Sequence, residues 1–237
     1  VSQVGTYHQF DIYLLTLQPA TEKEWVAKIQ TIAEEIEAID FETRRHQHLE
    51  WWDNFWNRSW IFIRENELDD GVQKCSLAYK VTQAYILQRF ITACAGRGSY
   101  PIKFNGSLFT MPWPDKPYDA DYRRWGPGYW WQNTRLPYLS LCTSGDFDIM
   151  KPLFNMYGGE IFEVCRYRTK RYFGFDGAYF PECMYPWGAI FTETYGWSKK
   201  AVEREDKLQE SRWHKWEWIC GVELVFMMQD FYEYTLD

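Results

Sequence analysis

Three stretches of the chain hold residue types that can do chemistry at useful spacings. The first is Asn105-Gly106-Ser107, just after a Gly-rich segment. An amide there offers a ligand hydroxyl both a donor and an acceptor, although Asn-Gly is equally a turn pair. The second runs from Asp119 to Arg135, where Asp121, Arg124, Gln132, Asn133 and Arg135 interleave with Trp125, Tyr129, Trp130 and Trp131. Sugar sites need this mixture: rings for the C–H faces, amides and charged groups for the hydroxyls. A core helix with a capped start also fits. The third is Phe180-Pro181-Glu182-Cys183-Met184-Tyr185-Pro186-Trp187-Gly188. One acid among rings and prolines is desolvated, the environment that makes a general acid. Glu182 can equally bind a substrate hydroxyl or pair with a nearby Arg. Trp125, Trp130 and Trp187 are the candidate stacking rings.

Other chemistries lack their signatures. His8, His46, His48 and His214 show no metal-ligand spacing, and the six cysteines form no Cys-x-x-Cys pair. No Gly-rich phosphate loop, nucleophile elbow or dinucleotide fingerprint is present. Neither a metal nor a cofactor is therefore expected. A net charge of −7 and a pI near 5.2 argue against a nucleic-acid partner. The basic clusters at Arg44-Arg45 and Arg166 to Arg171 read as solvated helix faces. No apolar run reaches the roughly 18 residues of a membrane helix. The best candidate, Val222 to Met228, is short and contains Glu223.

The elements that must position these residues read as mostly helical. Thr6 to Thr16 alternates loosely and is predicted as one strand, which needs a partner from a preceding β domain. Thr21 and Glu24 form a capping box for a helix with an apolar stripe at Trp25, Ile29, Ile32, Ile36 and Ile39. Further helices are predicted over about 42–61 and 72–95, the latter stopped by a left-handed glycine in Ala95-Gly96-Arg97-Gly98. An aromatic, irregular loop over 99–128 has the length and composition of a functional segment. Helices follow over 129–142, about 147–172 (capped by Ser144 or Asp146) and about 212–235, with a Gly/Pro-rich loop over 174–188. Long loops after some helices and short turns after others suit a toroid of paired helices with one decorated rim. The start at Val1 and the end in helix-forming sequence lead us to expect a piece of a longer protein.

Several of these segments carry a resemblance. HLEWWDNFWNRSWI (48–61), YILQRFITACAGRGSYPIKFNGSLFT (85–110), DADYRRWGPGYWWQNTRLPYLSLCTSGDFDIMKPLFNMY (119–157) and GAYFPECMYPWG (177–188) resemble bacterial polysaccharide-utilisation proteins, many known only as domain of unknown function 5703. These are similar to the (α/α)6 barrel of glycoside hydrolase family 95, the α-L-fucosidases and α-L-galactosidases, a six-hairpin glycosidase fold. The resemblance implies an all-α, partial (α/α)6 toroid. Residues 1–18 would end a β-sandwich, 19–40 would form a linker helix, and 41–237 would begin the barrel.

It also implies secretion, to the periplasm or outside the cell, and a glycan or oligosaccharide substrate. Counted back from Pro152-Leu153-Phe154, Asn133 falls on the second Asn of the family's water-activating Asn-x-Asn motif. Trp131 falls on the first, a departure that puts the inverting mechanism in doubt. The family's catalytic Glu lies beyond this chain, so the resemblance implies a piece lacking that general acid. The expected function is part of an O-glycosyl hydrolase, with Glu182 and Asn133 as catalytic candidates. Asn105, Asp121, Arg124, Trp125, Trp130, Gln132, Arg135 and Trp187 would bind substrate. The alternatives are a glycan-binding or scaffold protein on the same barrel, and a helical interaction module unrelated to sugars.

Overall fold

The structure, a computed structural model, describes residues 10–17, 19–64, 76–103, 128–190 and 219–237. The described chain is mostly helical with one small two-stranded sheet. It forms two compact units, Val1–Asn57 and Arg58–Asp237.

In the first unit, α1 (Glu22–Glu37) starts at the expected capping box. The Thr21 hydroxyl accepts from Glu24 N at 3.3 Å and Glu24 Oε2 accepts from Thr21 N at 2.7 Å. The Thr21 N–H and, at 2.8 Å, the Thr21 hydroxyl both donate to the Glu24 carboxylate and hold it below its ordinary value. Ile29, Ile32 and Ile36 make the half-buried stripe of α1. The expected strand over 6–16 is corrected for its described part, since residues 10–17 are not in strand conformation and pair with no strand among the described residues. The segment is instead tied to α1: Tyr13 Oη donates to Glu37 Oε1 and Trp25 Nε1 donates to the Leu15 carbonyl, both at 3.0 Å. The alternation survives as two faces, Tyr13 and Leu15 half-buried, and Phe10, Ile12 and Leu14 exposed. Along α2 (Phe41–Arg58), aromatics spaced by four stack as expected for one helix face: Trp51 on Phe55 at 5.4 Å and Trp52 on Trp56 at 5.9 Å.

In the second unit, α3 (Leu77–Ala95) is capped by Ser76, whose hydroxyl accepts from Tyr79 N at 3.0 Å. Gly96 ends it, but not by left-handed geometry: its φ is −96°. The requirement is for space. A Cβ on Gly96 would lie 2.4 Å from Ile149 Cγ2 and 2.9 Å from the Thr92 carbonyl oxygen. Gly96→Ala is therefore expected to destabilise the protein by about 1–3 kcal/mol through overpacking. A urea midpoint unchanged from wild type would contradict that. Past the helix, the Ile102 N–H donates to Tyr138 Oη at 2.7 Å and Tyr129 Oη donates to the Pro101 carbonyl at 3.0 Å, pinning the chain as it leaves α3.

The expected helix over 129–142 is replaced by shorter pieces. Tyr129–Trp130 is β1, followed by α4 (Trp131–Thr134), a 3-10 turn (Leu136–Tyr138) and α5 (Leu141–Ser144). Pro137 cannot donate to a continuing helix, and the backbone before α4 is taken by β2 (Cys183–Met184). The pairing is antiparallel, Tyr129 opposite Met184 and Trp130 opposite Cys183. Residues 174–188, expected to be loop throughout, thus supply a strand.

The long helix expected over 147–172 is likewise divided. α6 (Phe147–Asn155) and α7 (Phe162–Phe173) flank a π-helical turn, Met156–Glu160, closed by Ile161 N donating to the Met156 carbonyl at 3.1 Å. Pro152 inside α6 and Gly158-Gly159 in the turn weaken a continuous α ladder. Asp146 occupies the cap position of α6 but makes no side-chain cap bond, because its carboxylate is taken by Arg89. The last helix, α8, is described over Ile219–Thr235. Leu153, Ile161, Cys165, Cys183, Met184 and Ile190 are fully enclosed in the core of this unit.

Burial also governs the phenols. It pushes Tyr129 up to about 12, with Tyr100 adding a smaller effect, and raises Tyr138 and Tyr157 as well. A phenol raised in the folded state favours folding below its unfolded value near 10. That contribution is lost as pH climbs from 10 through the folded value, because only the unfolded chain ionises. Stability should thus fall above pH 10. Tyrosinate absorbance of these three rings should appear only with unfolding; its appearance in the folded protein near pH 10 would refute this.

Candidate functional site

The β1–β2 pairing determines where Glu182 goes. Immediately before β2, its backbone carbonyl accepts from Trp131 N at 2.8 Å, and its side chain turns onto the next residue, where Oε1 accepts from Gln132 N at 2.9 Å. Glu182 thus takes up an N–H of the first turn of α4, whose own cap residue, Trp130, makes no side-chain cap bond there. Helix α8 closes the other side. The Cys220 thiol donates to Glu182 Oε2 at 3.4 Å. Glu223, three residues on and so on the same face, accepts from Trp131 Nε1 at 2.6 Å and from an Arg135 guanidinium nitrogen.

Trp131, Gln132, Arg135, Glu182, Ile219 and Glu223 line a hollow of about 230 Å³. It lies below the roughly 300–1,000 Å³ of drug-sized sites, which suits one small polar ring. The two acids are placed differently. Glu182 is 2% exposed, whereas Glu223 and Arg135 keep 28% and 33% of their side chains open. Below them, Trp131 is enclosed edge-on against Tyr157 at 5.4 Å. Burial raises the Tyr157 phenol first, and Cys220, Cys183 and Glu182 add to it.

A larger cavity, about 600 Å³, lies between α7, residues 177–180 and α8. Its walls are mainly apolar, including Phe162, Phe180, Val222, Val225 and Phe226, and Arg166 at its edge is paired with Glu163 at 3.1 Å. It lacks the convergent polar groups that fix a ligand's orientation, so the smaller hollow is the better candidate.

The hollow brings together three of the residues singled out from sequence: Gln132, Arg135 and Glu182. Asn133 is half-buried on α4 and is not among the lining residues. Trp130, on β1, does not line it either. Trp187 is exposed at the tip of the turn after β2, stacked on Tyr185 at 4.6 Å with the planes 5° apart, and lies outside the hollow. Gly188, with φ 85°, makes that turn, and buried Arg168 donates to its carbonyl at 2.6 Å. Asn105, Asp121, Arg124 and Trp125 lie outside the described residues. Glu223 was not singled out as a site residue. Its signal is plain afterwards: an acid inside the apolar run 219–228, one turn from Cys220. Among the described residues no group of three or more His, Cys, Asp or Glu could hold a metal ion, and no helix is long and apolar enough to cross a membrane.

Fold and site together define a mostly helical protein with a small polar hollow between a strand pair and a helix. Residues 2–61 match the N-terminal family model described as domain of unknown function (DUF5703). No curated protein and no solved structure matches the chain. The likeness to the family 95 barrel finds no support in these comparisons.

Proposed function

We propose that this chain is part of a carbohydrate-active protein and that the hollow at Glu182 holds one sugar ring. The observation behind this is the convergence of Gln132 and Arg135 with Glu182, from segments about fifty residues apart, on one small polar space. An amide, a guanidinium and two carboxylates provide donors and acceptors side by side, as sugar hydroxyls require. Asn105, Asp121, Arg124 and Trp125 would extend the site, and the helices would belong to an (α/α)6 toroid working outside the cytoplasm.

Two readings of the chemistry remain, each with its own observation. Binding without catalysis is favoured by the enclosure of Glu182, whose oxygens accept from Gln132 N and Cys220 Sγ, and by the position of Asn133 off the hollow. Hydrolysis of an O-glycosyl bond is favoured by two carboxylates on one space, since glycosidases flank the scissile bond with two acids. The geometry supports binding better.

The test is a panel of neutral and acidic oligosaccharides, scored for binding and for released reducing sugar, with Glu182→Gln alongside. Binding without release establishes the first reading. Release that is abolished in Glu182→Gln establishes the second. Neither binding nor release across the panel removes the carbohydrate reading.

A further inference from the structure

We infer that Glu223 is a ligand-binding residue of this hollow and that, with Arg135 and Gln132, it selects an uncharged vicinal diol over an acidic sugar. The inference rests on the carbohydrate reading and adds both a residue and a ligand class to it.

Glu223 is the accessible acid of the hollow. One oxygen accepts from Trp131 Nε1 and the other from Arg135, and a carboxylate oxygen has a second lone pair to offer. Arg135 uses one terminal nitrogen on Glu223 and directs Nε to the Gln132 carbonyl at 3.4 Å, leaving its other terminal nitrogen without a partner among the described residues. The Gln132 side chain is exposed at the same wall. The hollow therefore presents a fixed acceptor beside a fixed donor, both planar, with an adjustable amide next to them. Neighbouring hydroxyls of a sugar, each a donor and an acceptor, match that pattern.

An added carboxylate matches it poorly. Glu223 already neutralises the guanidinium and holds one of its terminal nitrogens, with Nε on Gln132, so a uronate cannot form the bidentate fork on Arg135 and must face Glu223 at close range. Glu223 keeps about a quarter of its side chain open, so solvent screens part of that repulsion and leaves the rest. The Trp131 bond holds Glu223 in place, so the acid cannot swing away without breaking a charge-assisted hydrogen bond.

The experiment is calorimetric titration of the whole chain with methyl hexopyranosides and the matching hexuronates. We expect a hexoside to bind, and its uronate to bind at least about ten-fold more weakly. Loss of one hydrogen bond to a charged group corresponds to about ten-fold or more. Glu223→Gln should weaken hexoside binding by a similar factor and narrow the gap between hexoside and uronate, a change of preference that a purely structural role would not produce. Should that variant not fold, carboxyl footprinting of the wild-type chain by carbodiimide and glycine ethyl ester replaces it. Glu223 should then be labelled in the free protein and protected by the hexoside. A folded Glu223→Gln with unchanged affinity and preference, an unprotected Glu223, or a uronate that binds more tightly overturns this inference and leaves the carbohydrate reading standing. If no sugar of either kind binds and the oligosaccharide panel is also silent, both fall.

Discussion

Arg89→Met is expected to destabilise the protein by about 3–5 kcal/mol, the range for removing one partner of a buried ion pair. Arg89 on α3 is 6% exposed and Asp146, at the start of α6, is 1% exposed. The guanidinium meets both carboxylate oxygens, at 2.9 Å to Oδ1 and 3.1 Å and 3.2 Å to Oδ2, and also donates to the Ser59 carbonyl. Without it, Asp146 keeps the Ser144 hydroxyl at 2.7 Å and Arg58 at 3.6 Å. Arg58 is committed more closely to Asp148, at 2.7 Å, so it compensates only in part. The damage should come from the stranded charge more than from lost attraction. The double variant Arg89→Met/Asp146→Leu should therefore recover much of the loss, because replacing both members of a buried pair by apolar groups is often nearly neutral. Urea unfolding followed by far-ultraviolet circular dichroism reads both. A double variant no more stable than the single one would show that the pair contributes geometry the apolar pair cannot replace.

Trp131→Ala should cost a similar amount, about 3–5 kcal/mol for a buried Trp reduced to Ala. Its ring is 1% exposed and packs edge-on against Tyr157. Truncation opens a cavity beneath the hollow and also leaves Glu223 Oε2 without its indole donor. Trp131→Phe separates the two effects. It keeps most of the ring and removes the N–H, and should cost about 1.5–3 kcal/mol, the range for a hydrogen bond to a charged group. It should also loosen Glu223 and thereby weaken any sugar bound there. Thermal unfolding of both variants, with hexoside titration of Trp131→Phe, checks this. A Trp131→Phe protein with unchanged stability would mean that Glu223 finds another donor, and that the indole does not position it.

How much of this was legible beforehand depends on the range of the interaction. The Thr21–Glu24 box and the start of α1 were read correctly because a cap is settled within four residues. The ends of α2 and α3 fell within a few residues of their expected places for the same reason. The segment 10–17 misled because alternation records two faces, and a helix can cover one of them as well as a strand can. Gly96 was recognised as the end of α3, but its reason was not, since the atom it must avoid is on Ile149, fifty-three positions away in sequence.

The site divides in the same way. Residue type alone marked Gln132, Arg135 and Glu182, because polar groups set among rings and prolines must find partners or ligands wherever they fold. Apolar periodicity favoured a mostly helical protein, and composition fixed its net negative charge. Tertiary structure decided the rest. It broke the expected helix at 129–142 into a strand and short turns, since pairing with 183–184 satisfies backbone groups that no local pattern reveals. It turned Asp146 from a helix cap into the partner of a buried arginine. It brought Glu223 against Trp131 and Arg135, about ninety residues earlier in the chain. Local hydrogen bonding and helical periodicity act over a few residues and can be read in order; strand pairing, ion pairing and the enclosure of a cavity join distant residues, and only the folded chain says which.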